Sequence, residues 1–196
     1  VPDRWFNLAG MSTPGASYRW FREEFGEMEK ALATKLGIDP YVLLDKEAER
    51  SPPGANGLVF LPYLSGERSP IWNPYARGVI FGLTLSHMRA DMIRAILEGG
   101  AYAVRDNAEV FTKRGLEIKE IRMTGGGARS QLWRQIMADV LGVPLKVPLT
   151  EETAAFGAAI LAGCGAGIYK DARLIAKRLA KVKEAEKPRI REHRLY

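Results

Sequence analysis

Apolar residues recur at helical spacing along one long stretch of the chain and cluster in short runs elsewhere. The clearest helix runs from Ser86 to about Arg114, where Met92, Ile93, Ile96, Leu97, Ala101, Val104, Ala108 and Phe111 share one face. Ser86 is its expected N-cap. Gly99-Gly100 falls mid-helix, at a cost of about 1 kcal/mol per glycine against alanine, which predicts a close crossing or a kink. Upstream, Thr13-Pro14-Gly15, a capping hydroxyl followed by Pro at the first helical position, opens a helix expected to run to about Phe25 and stop at Gly26. Asp39-Pro40 repeats the signal for a helix to about Glu49, closed by Ser51-Pro52-Pro53-Gly54. Gly57 to Leu61 suits a buried strand and Val79 to Leu85 a second, with a loop from Ser65 to Arg77 between them. Then come a strand Ile121–Thr124, a helix Ser130–Leu141 ended by Gly142, and a strand Leu145–Val147. A helix of small residues, Thr153–Ala162, and one from Asp171 to about Ala180 complete the ordered part. Strand and helix alternate through the second half, so the fold class is α/β, and no internal repeat is visible.

Length and charge narrow the picture. The 196 residues suffice for one domain with an appendage, here residues 1–170 followed by a C-terminal helix and basic tail over 171–196. Cys164 is the single cysteine, so no internal disulfide forms, and no His/Cys cluster suggests zinc. A reducing, cytoplasmic compartment is the expectation. Net charge is +6, and much of it lies between Lys170 and Arg194, where Asp171, Glu184, Glu186 and Glu192 cancel only part. That pattern predicts a solvated helix face followed by a frayed C terminus. Without interleaved aromatics or a helix-turn-helix pattern it argues against nucleic acid. No uninterrupted apolar run of about 18 residues exists, so no membrane helix is predicted. The opening VPDRWFNLAG has no initiator Met, signal peptide or polar lead-in, and the expectation is a chain that begins inside a larger protein.

Candidate chemistry centres on Gly125-Gly126-Gly127-Ala128-Arg129-Ser130, between a strand and a helix that Ser130 caps. Glycines let the backbone take positive φ and approach a ligand, and a helix N-terminus behind them presents free N–H groups. A P-loop needs G-x-x-x-x-G-K-S/T, and no Lys stands in place. A dinucleotide fingerprint fails at Ser130, and the next strand ends in Pro148 rather than an acid. Taken alone, the loop leaves a nucleotide site and a tight turn both open. Pro14-Gly15-Ala16 is a second candidate, where a plain helix start is the simpler reading.

Wider motifs add to this. Residues 57–72 read GLVFLPYLSGERSPIW, followed by ARGVIFGL from Ala76 and RAILEG from Arg94. GGGARS from Gly125 precedes Trp133, Gln135 and Ala138-Asp139, and AFGAAILAG runs from Ala155 to Gly163. In this order they resemble the C-terminal domain of the FGGY carbohydrate kinases, most closely the xylulokinases, over roughly residues 5 to 170. The resemblance implies an actin-like ATPase fold of the ribonuclease-H type, with the active site between two domains and ATP mainly on the one seen here. It places Gly126 and Ser130, with Gly125 and Gly127 beside them, at the adenosine, and Gly15 and Arg19 at the helix start near the phosphates. The family often carries another polar residue where Arg19 stands.

Phosphoryl transfer needs Mg²⁺ near the phosphates, an in-line hydroxyl and a carboxylate to take its proton. The resemblance puts that Asp, most sugar contacts and the first phosphate loop in an N-terminal domain, so no residue of this chain is assigned as catalytic or as a metal ligand. The chain alone is expected to be inactive, and the parent to phosphorylate a ketopentose such as D-xylulose, with ribulose, glycerol or a signalling sugar as alternatives. Its expected partners are its own N-terminal domain, a small sugar, and a second copy through a face left exposed. The rival class is a non-catalytic actin-like assembly module. A dinucleotide-dependent oxidoreductase is disfavoured by the poor fingerprint. Glu67, Arg68, Arg77, Glu98 and Asp139 are read as structural, His87 as part of a helix start, and Glu151 and Glu152 as acids favouring a helix dipole.

Overall fold

A computed structural model describes residues 7–196; the first six residues of the opening decapeptide lie outside the described residues. Helix α1 (Pro14–Phe25) turns directly into α2 (Glu27–Leu36) at Gly26, and α3 is Pro40–Ala48. Gly26 ends α1 as expected, but the chain does not leave the helix there for a loop: α2, unexpected from the sequence, follows at once. Gly26 has φ −107°, and a Cβ there would lie 2.6 Å from the Arg22 carbonyl, so glycine permits a sharp bend between two helices. Asp39 begins α3 as expected, its carboxylate accepting from Tyr41 N at 3.0 Å.

Helix α4 (Arg89–Thr112) is the centre of the molecule. Its Ile93, Ile96 and Leu97 are buried with Phe21 of α1, Leu44 of α3, and Leu58 and Phe60 near strand β1 (Val59–Leu61). Each such side chain contributes roughly 1.5–3 kcal/mol by burial. The glycine pair marks the crossing. A Cβ on Gly99 would strike the Phe60 carbonyl, and one on Gly100 would sit 3.1 Å from the Trp133 ring. The helix runs through both without interruption, so close approach rather than a kink explains them. The expected N-cap is corrected: Thr84, Ser86 and His87 bond one another in a turn, and α4 starts at Arg89 with Asp91 accepting from Met88 N at 2.8 Å.

Strand β1 pairs antiparallel with β2 (Val79–Phe81). β2 is shorter than expected because Gly82 takes φ +87° there. A second sheet has the order β3-β4-β5. β3 (Ile121–Arg122) leads through the glycine loop and α5 (Gln131–Leu141) to β4 (Leu145–Pro148), which lies parallel to it. Helices α6 (Thr153–Gly165) and α7 (Ala172–Leu179) follow and pack on each other.

The C terminus departs most from expectation. It is not frayed: β5 (Val182–Glu186) adds antiparallel to β4, and a short α8 (Ile190–His193) packs on α5. Arg189 grips the buried Asp139 with Nη2 at 2.6 Å, and Tyr196 donates its hydroxyl to the buried Glu98 at 2.6 Å. The basic residues read as solvated include anchors onto acids far back in the chain. Among the described residues no helix is long and apolar enough to cross a membrane.

Candidate nucleotide-binding site

The glycine loop forms because β3 ends at Arg122 and Gly125 takes φ +78°, turning the chain into a 3₁₀ turn over Gly126–Arg129. Ser130 then caps α5, its hydroxyl accepting from Trp133 N at 2.9 Å. The glycines are not equivalent. A Cβ on Gly125 or Gly126 would meet nothing within 4 Å, whereas one on Gly127 would lie 2.9 Å from the Trp133 ring. Two face open space and the third serves packing.

Gly126, Gly127 and Ser130 form one wall of a cavity of about 570 Å³, and Gly15 and Arg19 of α1 form another. Gly15 stands in the first turn of α1, where N–H groups lack intrahelical partners. The expected Thr13 cap is corrected: its side chain does not cap them, because its hydroxyl donates to the Pro62 carbonyl. Arg19 is exposed and forms no ion pair among the described residues. Gly125 lines a neighbouring cavity of about 540 Å³ with Thr124, Thr150 and Lys183, and the two cavities share Gly126 and Arg129. The structure thus brings five of the six expected residues to one cavity and sets the sixth beside it.

Sequence reasoning gave no site role to Tyr18, Tyr41, Asp45 and Trp133, which line the same cavity. The Tyr18 ring lies 4.9 Å from that of Tyr41 and edge-on to Trp133 at 6.0 Å. Trp133 Nε1 donates to the Leu97 carbonyl at 3.0 Å, fixing the indole against α4. Burial pushes the Asp45 carboxyl up, against the hydrogen bonds from Ser130 and Tyr18 that favour its charge. Burial, then the Asp45 charge and hydrogen bond, push the Tyr18 phenol well above its usual range, so it stays a donor. Two spacings carry the signal for this wall: Tyr18 is three residues from Gly15, and Tyr41 and Asp45 are four apart on α3.

The acids and bases assigned to structure hold backbone and buried partners. Glu67 is buried and accepts from Ser12 N at 2.9 Å and Arg68 N at 2.7 Å. Arg77 donates to the Pro74 and Ala76 carbonyls. Glu151 pairs with Arg129 at 2.7 Å across the glycine loop, and Glu152 makes no capping bond to α6. Among the described residues no group of three or more His, Cys, Asp or Glu converges to hold a metal ion.

The model of the C-terminal domain of the FGGY family of carbohydrate kinases matches residues 1–166. The chain belongs to this family. Gluconokinase from Bacillus subtilis is 43% identical over 176 residues, which is 89% of this chain and 33% of the relative. Xylulose kinase from Staphylococcus epidermidis is 35% identical over 196 residues, the whole of this chain and 38% of the relative. Among solved structures, ligand-bound xylulose kinase from Lactobacillus acidophilus superposes with a TM-score of 0.80 at 30% identity, over 95% of this chain and 36% of that one. The chain has the α/β, actin-like ATPase fold of the FGGY sugar kinases, and it spans about a third of the length of the relatives it matches.

Proposed function

We propose that this chain is the ATP-binding portion of a kinase that phosphorylates a terminal hydroxyl of a small open-chain sugar, with D-xylulose as the first candidate acceptor. The observation that carries the reading is the convergence of Gly15, Arg19, Gly126, Gly127 and Ser130 on one cavity. A nucleotide fits what these residues offer. The open space over Gly125 and Gly126 lets a flat base or ribose approach the backbone, which a side chain would prevent. Tyr18, Tyr41 and Trp133 supply an aromatic lining for the adenosine. Asp45 argues against phosphates on that side, so the polyphosphate is assigned to the α1 end, where uncapped N–H groups and Arg19 favour negative charge. Among the described residues no group of three or more His, Cys, Asp or Glu gathers here, so Mg²⁺ is assigned to the nucleotide's own phosphates.

Transfer also needs a carboxylate to take the acceptor hydroxyl's proton. We assign that group, and most sugar contacts, to a further domain of a larger kinase, and the chain alone is predicted to turn over no substrate. A second acceptor is favoured by one observation: the gluconokinase relative is more identical than the xylulose kinase relative, which supports gluconate.

Calorimetric titration of the chain with MgADP, alongside Gly126→Val, tests the nucleotide site. Gly126 has no positive φ and a Cβ there meets nothing within 4 Å, so valine should leave the fold intact while projecting into the space a ligand would take. Saturable binding lost in Gly126→Val is the expected result. Equal binding by both proteins would remove the nucleotide from this wall. Comparison of D-xylulose and gluconate as acceptors for the full-length kinase decides the substrate.

A further inference from the structure

Arg134 stands in the first turn of α5, directly behind the glycine loop, and its guanidinium bonds in two directions. Nη1 donates to the Ala128 carbonyl at 2.7 Å and the Arg129 carbonyl at 3.3 Å. Nε and Nη2 both donate to Glu186 Oε1, at 3.2 and 3.1 Å. Glu186 is the last residue of β5, 52 positions further along the chain. Both side chains are mostly shielded, at 18% and 10% exposure, which keeps water and salt from weakening the pair.

The loop has few other restraints. Gly125 and Gly126 offer no side chain to pack, and the turn holds itself by Ala128 N to Gly125 O at 3.0 Å and Ser130 N to Gly127 O at 3.3 Å. Because a peptide unit is planar and trans, fixing the Ala128 and Arg129 carbonyls also fixes where the N–H groups of Arg129 and Ser130 point. Arg134 therefore sets the pitch of the turn that carries Gly126 and Ser130 into the cavity. The segment after β5 has its own anchor on α5, since Arg189, just before α8, holds Asp139 through N at 2.7 Å, Nε at 3.0 Å and Nη2 at 2.6 Å.

We propose that Arg134 is a positioning residue for the glycine loop and that the C-terminal strand, through Glu186, sets the loop geometry on which nucleotide affinity depends. The affinity half of this rests on the nucleotide reading above; the geometric half does not.

Amide hydrogen exchange at Gly125–Ser130 and titration with MgADP, both on the 196-residue chain, separate the two halves. The variants are Glu186→Gln and Arg134→Lys, with Arg189→Gln as a control that loosens the tail without touching the loop. Faster exchange at the loop in the first two but not the third, with α4 unchanged, is expected. ADP binding about tenfold weaker in the same two variants should accompany it, as loss of a shielded charge-assisted bond implies. Unchanged loop exchange in Glu186→Gln overturns the clamp. Uniform acceleration across the chain in all three variants also overturns it, by reducing the pair to general stability. Faster loop exchange with unaltered ADP affinity overturns the link to the nucleotide. A wild-type chain that binds no ADP overturns the nucleotide reading, and exchange alone then decides the clamp.

Discussion

Asp45 Oδ1 accepts the Tyr18 hydroxyl at 2.8 Å. One half-buried acid thus joins α1 to α3, two of the elements around the cavity. Tyr18→Phe removes a donor from that acid at a cost of about 1–3 kcal/mol, measurable by urea denaturation. Its effect on ADP affinity should be larger than that of Tyr41→Phe, whose hydroxyl does not hold Asp45.

The pH dependence follows from the same group. Burial raises the Asp45 carboxyl in the folded state, so the folded protein holds the proton more tightly than the unfolded chain. Stability contributed by this group is therefore greatest in acid, falls as pH climbs from the ordinary carboxylate value to the raised one, and is level above it. Asp45→Asn should shrink that fall in a series of thermal melts between acid and neutral pH. Glu98, raised for the same reason of burial, will keep part of it. An unaltered profile in Asp45→Asn would show that Asp45 does not carry the slope.

Gly99 and Gly126 offer opposite outcomes for one substitution. Gly99→Ala gains about 1 kcal/mol of helix propensity. It also forces a methyl into the Phe60 carbonyl at the α4–β1 crossing, and overpacking of this kind costs about 1–3 kcal/mol. The obstacle is backbone, which yields less than a side chain, so the clash wins and the melting temperature falls. Gly126→Ala meets open space and should leave the melting temperature unchanged while weakening ADP binding. A drop in stability for Gly126→Ala as large as for Gly99→Ala would refute the assignment of these glycines to ligand and packing.

Much of the frame was legible because its signals are local. The Asp39 cap, the Ser130 cap and the left-handed Gly142 that ends α5 act within a few residues of themselves, and all are found where the sequence placed them. The glycine loop was legible as a loop, and the α1 start as a helix start, but nothing local says that the two face one cavity. Tyr18 and Asp45 were missed for that reason, since their bond joins residues 27 apart. Gly26 misled because a glycine reads as a stop, while here it bends one helix into the next. The tail was misread because its anchors lie at Asp139 and Glu98, 50 and 98 residues away, and charge patterning alone cannot distinguish a solvated arginine from a paired one.

Tyr196 illustrates how much the tail contributes. Its hydroxyl donates to Glu98 Oε1 and accepts from Arg94 Nη2 at 3.0 Å, while its carbonyl takes a bond from Arg105 at 3.0 Å. The Glu98–Arg94 pair is almost fully buried, and Glu98 Oε2 has no partner among the described residues. Tyr196→Phe keeps the ring against Tyr102 but strips two bonds from this pair, one from each partner, costing about 1–3 kcal/mol. Removing Tyr196 altogether should cost more, since the ring contact and the Arg105 bond go too. Chemical denaturation of both variants orders them; equal stability to wild type in either would mean that the tail merely rests on the domain.

Helix α6 points outward in a way its composition does not suit. Its residues are apolar on every side, yet of its thirteen positions only Ile160 and Gly163 are buried, and Leu161 is 65% exposed. A helix that is apolar all round is ordinarily covered, and contiguous apolar surface left open drives association. In the proposed kinase the remainder of the protein covers this face; in the isolated chain a second copy is the available cover. Sedimentation of the chain over a wide concentration range should therefore show reversible self-association. Leu161→Glu places a charge on the exposed face without disturbing Ile160, so it should shift the protein toward monomer and leave the melting temperature of the dilute chain unchanged. Association that persists undiminished in Leu161→Glu would move the contact to another surface, with the exposed Phe81 of β2 and its neighbour Leu83 the next to change. A lowered melting temperature with no change in association would instead mean that Leu161 packs within the chain and that α6 is not an open face.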